Sequence, residues 1–173
     1  SEAGKGVPKD GARALAAYQK GCDDGVLAGC LRLGMALDVG HGATVDHEKA
    51  GAVLQRACDG GELSGCVAMG LRFDQGRGVP ADRKRAAAFY RKACEGGSGS
   101  GCSAIASMHD EGRGLPRDLE AARREYQLAC DHFSWPACTR LAVLLDGGLG
   151  GGPDPARAAA LLELACRHAE AGA

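Results

Sequence analysis

The sequence predicts an all-α fold in which paired antiparallel helices form a tandem repeat. Cysteine recurs every 36 residues in two interleaved ladders, and glycine, aspartate and alanine recur in the same phase. Five or more columns that share one period indicate a single supersecondary unit used repeatedly. The cysteine ladders are Cys22, Cys58, Cys94, Cys130 and Cys166, and then Cys30, Cys66, Cys102 and Cys138.

Each repeated column fits a position at a helix end or on a buried helix face. Glycines such as Gly40 and Gly76 suit the left-handed residue that ends a helix. Aspartates such as Asp46 suit the N-cap of the next helix, and the four-residue step from Ala50 to Leu54 indicates a buried face. These signals predict helix A over 27–38, 63–74, 99–110 and 135–146, and helix B over 11–22, 47–58, 83–94, 119–130 and 155–168.

Composition argues against two classes of partner. The 21 basic and 22 acidic side chains leave a net charge of −1 without a basic stripe, so nucleic acid is not expected. Aromatic residues, at 4%, are too few for base-stacking platforms. No apolar run approaches the roughly 20 residues that span a bilayer, so membrane insertion is not expected either.

The cysteines are predicted to pair across a turn. Within one helix, Cys22 and Cys30 would lie ~12 Å apart at about 1.5 Å of rise per residue, whereas a disulfide needs α-carbons within roughly 7 Å. Asp-Asp-Gly at 23–25 supplies the break in the helix. The spacing does not match the close-set pairs of zinc sites. The predicted disulfides are Cys22–Cys30, Cys58–Cys66, Cys94–Cys102 and Cys130–Cys138.

Nine regularly spaced cysteines also predict an oxidising compartment, so the protein is expected to be periplasmic or secreted. Cys166 has no partner by this rule, because its partner would fall at position 174. Either Cys166 is a free thiol or the natural protein continues. Ser1 aligns with Leu37 near the end of a helix A, and we therefore expect the chain to be part of a longer or processed protein.

The repeat resembles the Sel1-like repeat, a relative of the tetratricopeptide repeat. The resemblance lies in Leu-Gly at 33–34 and 69–70, Gly-x-Gly-Val-Pro at 76–80, and the Ala-Cys and Gly-Cys pairs. The cysteine spacing is similar to that of the cysteine-rich subgroup typified by the Helicobacter cysteine-rich proteins. Residues 131–138 depart from the pattern. One domain is expected, with a partial repeat at 1–25 and full repeats at 26–61, 62–97, 98–133 and 134–169.

The resemblance implies an α/α solenoid, or superhelix, crosslinked by disulfides, whose concave surface holds another protein or a peptide. Other bacterial relatives serve as immunity proteins, and some cysteine-rich members carry a β-lactamase or penicillin-binding label. The favoured expectation is an interaction module outside the cytoplasm, an immunity or assembly factor. The alternative is a weak hydrolase that acts on β-lactams or cell-wall fragments.

The sequence offers no constellation for catalysis, a metal or a cofactor. No serine is followed three residues later by lysine, as a serine β-lactamase requires. His41 and His47 lie six residues apart across a turn without a zinc-binding motif, and they read as solvated loop histidines. Enzyme activity is left open, no cofactor is expected, and a binding role is favoured.

Candidate binding residues lie where the repeats differ, because functional surfaces of a solenoid vary between units. Arginine and methionine suit recognition, tryptophan is a favoured hot-spot residue, and His109 stands where other repeats carry leucine or phenylalanine. The competing interpretations are neutral drift, packing of His109 between repeats, and capping of the last repeat by Trp135. The candidates are Arg32, Met35, Arg72, Met108, His109, Trp135 and Arg140.

An aspartate column at the end of each helix A has two interpretations. Aspartate there opposes the helix dipole, so it needs a reason. One is an acidic stripe for a basic partner, and the favoured one is that the carboxylates satisfy neighbouring polar groups. The column comprises Asp38, Asp74, Asp110 and Asp146.

Overall fold

A computed structural model describes the backbone of residues 7–170, which forms nine α-helices without a β-strand. Side chains are described for residues 11–168. The predicted helices are all present, with ends that differ by one or two residues except at the first helix. That helix begins at Val7 instead of residue 11, since Pro8 is tolerated in a first turn. The helices are α1 (Val7–Asp23), α2 (Leu27–Val39), α3 (His47–Asp59), α4 (Leu63–Gln75), α5 (Arg83–Glu95), α6 (Gly99–Glu111), α7 (Leu119–Asp131), α8 (Trp135–Asp146) and α9 (Pro155–Glu170).

The predicted capping residues end and begin the helices. Gly40, Gly76 and Gly112 follow α2, α4 and α6 with φ of 74°, 69° and 68°, a conformation that is cheap only for glycine. At the other ends, the Asp46 carboxylate accepts a hydrogen bond from the Lys49 amide at 2.9 Å. Asp118 accepts one from the Ala121 amide, also at 2.9 Å.

The described helices form two compact units. Unit 1 comprises the described residues up to Asp82 and contains α1–α4, and unit 2 begins at Arg83 and contains α5–α9. In unit 1, α2 packs against α1, α3 and α4. In unit 2, each helix packs against the next one along the chain.

Four disulfides join the end of a helix B to the start of the following helix A. The α-carbons of the bonded cysteines lie 4.4, 4.5, 4.4 and 4.8 Å apart in chain order. The chain reverses between them at a left-handed residue, such as Gly61 with φ of 99°. The predicted fold class, an α/α repeat fold crosslinked by disulfides, is therefore confirmed. The pairs are Cys22–Cys30, Cys58–Cys66, Cys94–Cys102 and Cys130–Cys138.

The glycine before the second cysteine of a pair permits the close approach of the two helices. A Cβ atom at Gly65 would lie 2.9 Å from both the Ala57 Cβ and the Cys58 backbone nitrogen. The fourth pair has Ala137 at this position, and its α-carbons, 4.8 Å apart, are the most widely separated of the four. Helix contact at the crosslink is thus tightest where glycine is present.

Small side chains fill the cores of both units. Ala50 and Ala57 in unit 1 and Ala122 and Ala129 in unit 2 are 0% exposed. Larger residues, among them Leu33 and Leu54 in unit 1 and Leu141 and Tyr126 in unit 2, fill the remaining space. Each core also contains disulfide sulfur, which replaces part of the apolar bulk that aromatic residues supply in other proteins.

Candidate functional site

Exposed apolar side chains mark one face of unit 1. Met35 on α2 and Leu71 on α4 occupy equivalent positions of successive repeats, and they are 50% and 39% exposed. Val39, at the end of α2, is 66% exposed. Three large apolar side chains in water on one face indicate a binding surface more strongly than scattered single residues do.

These side chains line a cleft of about 300 Å³, which we call the unit 1 groove. Tyr18 of α1 and Leu54 of α3 contribute to its apolar lining. The size is at the lower end of the ~300–1,000 Å³ range of ligand pockets. The remaining lining residues are Arg32, Ala36, Asp38, His41, Ala68, Arg72 and Arg77.

A buried ion pair joins α2 to α4 at the groove. The Arg72 guanidinium donates from Nη1 to the Asp38 carboxylate, and the two side chains are 3% and 8% exposed. Arg72 also donates from Nη2 to the His47 carbonyl oxygen at 2.7 Å. His47 Nδ1 lies 2.9 Å from the Asp38 carboxylate, and Arg77 Nη1 lies 3.6 Å from it. The guanidinium groups of Arg72 and Arg77 satisfy the charge of Asp38, and the ion pair with Arg72 holds α4 against α2 at the groove.

A related cluster lies in unit 2 around Asp110, which occupies the same repeat position as Asp38 two repeats later. Arg140 Nη2 is 2.5 Å from the Asp110 carboxylate, which is 8% exposed, and the Tyr126 hydroxyl donates to it at 3.4 Å. Burial raises the pKa of the Tyr126 hydroxyl, and the negative charge of Asp110 adds to the shift against an opposing hydrogen bond from Arg140. Hydrogen bonding to Asp110 likewise raises the pKa of Arg140. Asp38 and Asp110 thus satisfy neighbouring cations, as the favoured interpretation of the column predicts.

The structure brings only some of the candidate binding residues together. The unit 1 groove is lined by Arg32, Met35 and Arg72. Arg72, however, already forms an ion pair with Asp38. Met108 is 0% exposed, so the expectation that it contacts a partner is wrong. Its position in the repeat faces the interior in every repeat, and Ala36 and Leu144 are buried there as well.

The other candidates lie in unit 2 and are held by neighbours. His109 is 15% exposed, and its Nδ1 lies 2.8 Å from a Glu125 oxygen. Arg140 is 52% exposed but paired with Asp110. Trp135 stacks on His168 with ring centroids 4.0 Å apart. None of these three lines the cleft beside α7 or the cleft between α8 and α9.

Sequence reasoning named only Arg32, Met35 and Arg72 of the groove residues as candidates, and the ones it missed include Val39, His41 and Arg77. They lie at or beyond the ends of the helices, in the segment where glycine columns suggested only turns. One signal in the sequence could have indicated the groove: Met35 and Leu71, both apolar, occupy the same repeat position.

Other chemistry is sparse in the part of the chain that the structure describes. No three His, Cys, Asp or Glu side chains among residues 11–168 come together as a metal site. Cys166 is an exposed free thiol. Within the same described part, none of the helices has the length and apolar character required to cross a membrane.

Solved structures of repeat proteins match this fold. A Sel1 repeat protein from Oxalobacter formigenes has a TM-score of 0.86 at 24% identity, over 96% of this chain and 68% of that one. A protective antigen of uropathogenic Escherichia coli with an SLR fold has a TM-score of 0.86 at 27% identity, over 95% of this chain. The chain corresponds to only 35% of that antigen.

A cysteine-rich relative also matches. Helicobacter pylori cysteine rich protein B has a TM-score of 0.63 at 29% identity, over 78% of this chain and 97% of that one. Among curated proteins, none matches this chain. The Sel1 repeat description matches five consecutive segments, at residues 1–26, 27–62, 63–98, 99–132 and 135–169. Since these segments cover almost the whole chain, the protein belongs to the Sel1 repeat family.

Proposed function

We propose that the protein is a binding module for another protein or a peptide, that it acts outside the cytoplasm, and that the unit 1 groove is its contact surface. Sel1 repeat proteins generally mediate protein–protein interaction, and stacked helical repeats use extended surfaces for this purpose. The observation that carries the proposal is the pair Met35 and Leu71, two exposed apolar side chains on α2 and α4, the A helices of successive repeats, that line one groove.

Rigidity supports this role. The groove lies on helices that are joined by Cys22–Cys30 and Cys58–Cys66 and by the buried pair of Asp38 and Arg72. A surface that is ordered before binding loses little conformational entropy when a partner docks. The groove is therefore suited to recognition without rearrangement of its helices.

The disulfides support an extracytoplasmic location. Four crosslinks in one small chain are typical of oxidising compartments, because cytosolic thiols are kept reduced. Periplasm and secretion both satisfy this condition. Fractionation of the source cells, with detection of the chain by a specific antibody, tests it: recovery in the cytoplasmic fraction alone would contradict the location.

The binding role is tested with two variants of matched exposure. Leu71 and Leu164 are each 39% exposed, but only Leu71 lines the groove. Purified chain, Leu71→Asp and Leu164→Asp are immobilised and exposed to the extracytoplasmic fraction of the source cells. We expect a protein that the unaltered chain and Leu164→Asp retain and that Leu71→Asp loses. Equal retention by all three would contradict the groove as the contact surface.

The identity of the captured protein distinguishes the two narrower roles. An immunity factor would retain a toxic protein and neutralise it, whereas an assembly factor would retain a subunit of a larger complex. Both roles need the same first step, a stable contact at the groove. Growth of cells that produce the captured protein, with and without this chain, separates the two.

A further inference from the structure

We propose that the unit 1 groove recognises an acidic peptide segment that carries a bulky apolar side chain. The inference rests on the proposed function and names the chemistry of the partner. It follows from two properties of the groove. Its floor, formed by Met35, Val39 and Leu71, is apolar, and its rim exposes the positive charges of Arg32 and Arg77 to solvent.

The apolar half of the inference comes from the floor. Met35, Val39 and Leu71 present exposed side chains to a cleft of about 300 Å³. Burial of a partner's apolar surface against them is favourable, because it removes that surface from water. A cleft of this volume suits one or two side chains of a peptide better than a flat protein surface. The apolar anchor of the partner is therefore expected to be leucine, methionine, phenylalanine or a residue of similar bulk.

The acidic half comes from the rim. Among residues 11–168, the lining contains three arginines, Arg32, Arg72 and Arg77, and a single carboxylate, that of Asp38. Because Asp38 is 8% exposed and bonded to Arg72, these two charges offset each other below the surface. Arg32 and Arg77 remain as the charges that solvent and a partner meet.

These two arginines differ in whether their guanidinium groups already have hydrogen-bond or ion-pair partners. Arg77 is held by the Gln75 side-chain oxygen, at 2.9 Å from Nη2, and by Asp38 at 3.6 Å. Arg32 is exposed, and no hydrogen bond or ion pair joins it to another side chain among residues 11–168. An unpaired guanidinium beside an apolar cleft can donate two hydrogen bonds to one carboxylate. Aspartate or glutamate next to the apolar anchor would complete both halves of the site.

The arginines of unit 2 provide a comparison, because each one named below already donates to an acceptor within the protein. Arg140 occupies the same repeat position as Arg32 but is paired with Asp110. The cleft beside α7 contains three arginines, and each has an acceptor: Arg123 donates to the Gly152 carbonyl oxygen, Arg124 pairs with Glu120, and Arg157 donates to Gln127. The unit 1 groove differs because Arg32 has no side-chain acceptor in the part of the chain whose side chains the structure describes.

The test is selection from a random peptide library on the full chain with its disulfides intact. Peptides are recovered at low salt, and their affinities are measured by fluorescence polarisation. We expect enrichment of sequences in which aspartate or glutamate lies within a few residues of a large apolar residue. Arg32→Gln should weaken the binding of these peptides about 3- to 10-fold, and so should an increase in ionic strength.

Matched controls separate this inference from the proposed function. Arg56→Gln removes an exposed arginine of the same unit that does not line the groove, and should leave affinity unchanged. Leu71→Asp should abolish binding, while Leu164→Asp should not. Arg32→Glu should lose the preference for acidic sequences when the selection is repeated.

The outcomes are distinct. If peptides depend on Leu71 but carry no acidic residue and ignore Arg32, the inference is wrong and the groove remains a binding surface. If no peptide binds, the inference is wrong, and retention of a protein by the unaltered chain but not by Leu71→Asp decides the contact surface separately. If peptides bind but are indifferent to Leu71→Asp, both the inference and the proposed contact surface are wrong. Dependence on Leu71, Arg32 and salt together supports both.

Discussion

Asp38 and Arg72 form an ion pair that is almost fully removed from solvent and joins helices A of two successive repeats. The side chains are 8% and 3% exposed, and Arg72 is anchored further by the His47 carbonyl oxygen. Two repeats later, Asp110 takes its arginine from another position of the next helix A, at Arg140. The aspartate is thus present in both repeats, while the arginine that pairs with it comes from a different repeat position in each.

The buried pair predicts an asymmetric response to substitution. Asp38→Ala leaves the Arg72 charge buried without its counterion and should lower the free energy of unfolding by about 3–5 kcal/mol. Arg72→Met places at this position the residue that Met108 supplies in the next repeat, and it should cost less. The double variant Asp38→Ala with Arg72→Met should recover much of the loss. Urea titration with the disulfides intact measures all three, and additive effects of the two substitutions would contradict the coupling.

Two glycines of unit 1 predict opposite effects of alanine. A Cβ at Gly65 would lie 2.9 Å from the backbone of Cys58, so Gly65→Ala should destabilise by about 1–3 kcal/mol. At Gly51, in the interior of α3, the nearest atom to a new Cβ is Arg72 Nη2 at 3.4 Å, an ordinary contact. Gly51→Ala should therefore stabilise by about 0.5–1 kcal/mol, the usual gain of alanine over glycine in a helix. A shared sign in the thermal midpoints would refute the packing explanation.

The position of Phe133 predicts that glycine is preferred to alanine there. Phe133 is 75% exposed and has φ of 62°, where the equivalent residues Gly25, Gly61 and Gly97 are glycines. A left-handed conformation costs a residue with a Cβ roughly 1–2 kcal/mol. Phe133→Gly should be more stable than Phe133→Ala by about 1 kcal/mol, since both lose the ring contact with Trp135. Equal stabilities of the two variants would show that no strain is stored there.

Burial of Tyr126 predicts a loss of stability at high pH. Its pKa in the folded chain is raised above the usual value of 10.0, first by burial. The neutral hydroxyl is therefore favoured by folding. Its contribution is complete below about pH 10 and is lost as the pH rises through the folded pKa. Urea titrations between pH 8 and 11 measure this loss, with Cys166→Ser in both proteins to prevent thiol exchange. The free energy of unfolding should fall less with rising pH in Tyr126→Phe than in the chain that keeps Tyr126. An identical decline would contradict the assignment.

The sequence predicted the helices and crosslinks well because both arise from local, periodic signals. Gly40 and Asp46 act through their own turns, and the pairing of Cys58 with Cys66 needs only a break in the helix between them. The groove was harder to predict. Its shape depends on how α2 lies beside α4, so Val39 and Arg77 carry no local sign of belonging to one surface.

Arg72 and Met108 were predicted to lie on the binding surface, and both predictions failed to account for burial that depends on packing between helices. Their variability within the repeat suggested surface recognition, but both side chains are buried, at 2% and 0% exposure. The alternation of alanine, arginine, methionine and leucine at this position reflects how each repeat fills its interior. For Arg72 the filling includes a countercharge from Asp38, which lies 34 residues away in the sequence.

The central claim is that each junction between helix B and the following helix A is closed by its own disulfide. Tryptic digestion of the unreduced chain tests it directly, because cleavage after lysine and arginine leaves each predicted pair within one peptide. The four peptides are residues 21–32, 57–72, 93–113 and 125–140.

Mass spectrometry should show each of these peptides lighter than its reduced form by two hydrogen atoms, and the peptide at 158–167 with a free Cys166 thiol. Alkylation before digestion should modify Cys166 alone. Free thiols in the four peptides, or masses in which two of them are joined, would contradict the crosslinked repeat on which the rigidity of the groove and the extracytoplasmic location depend.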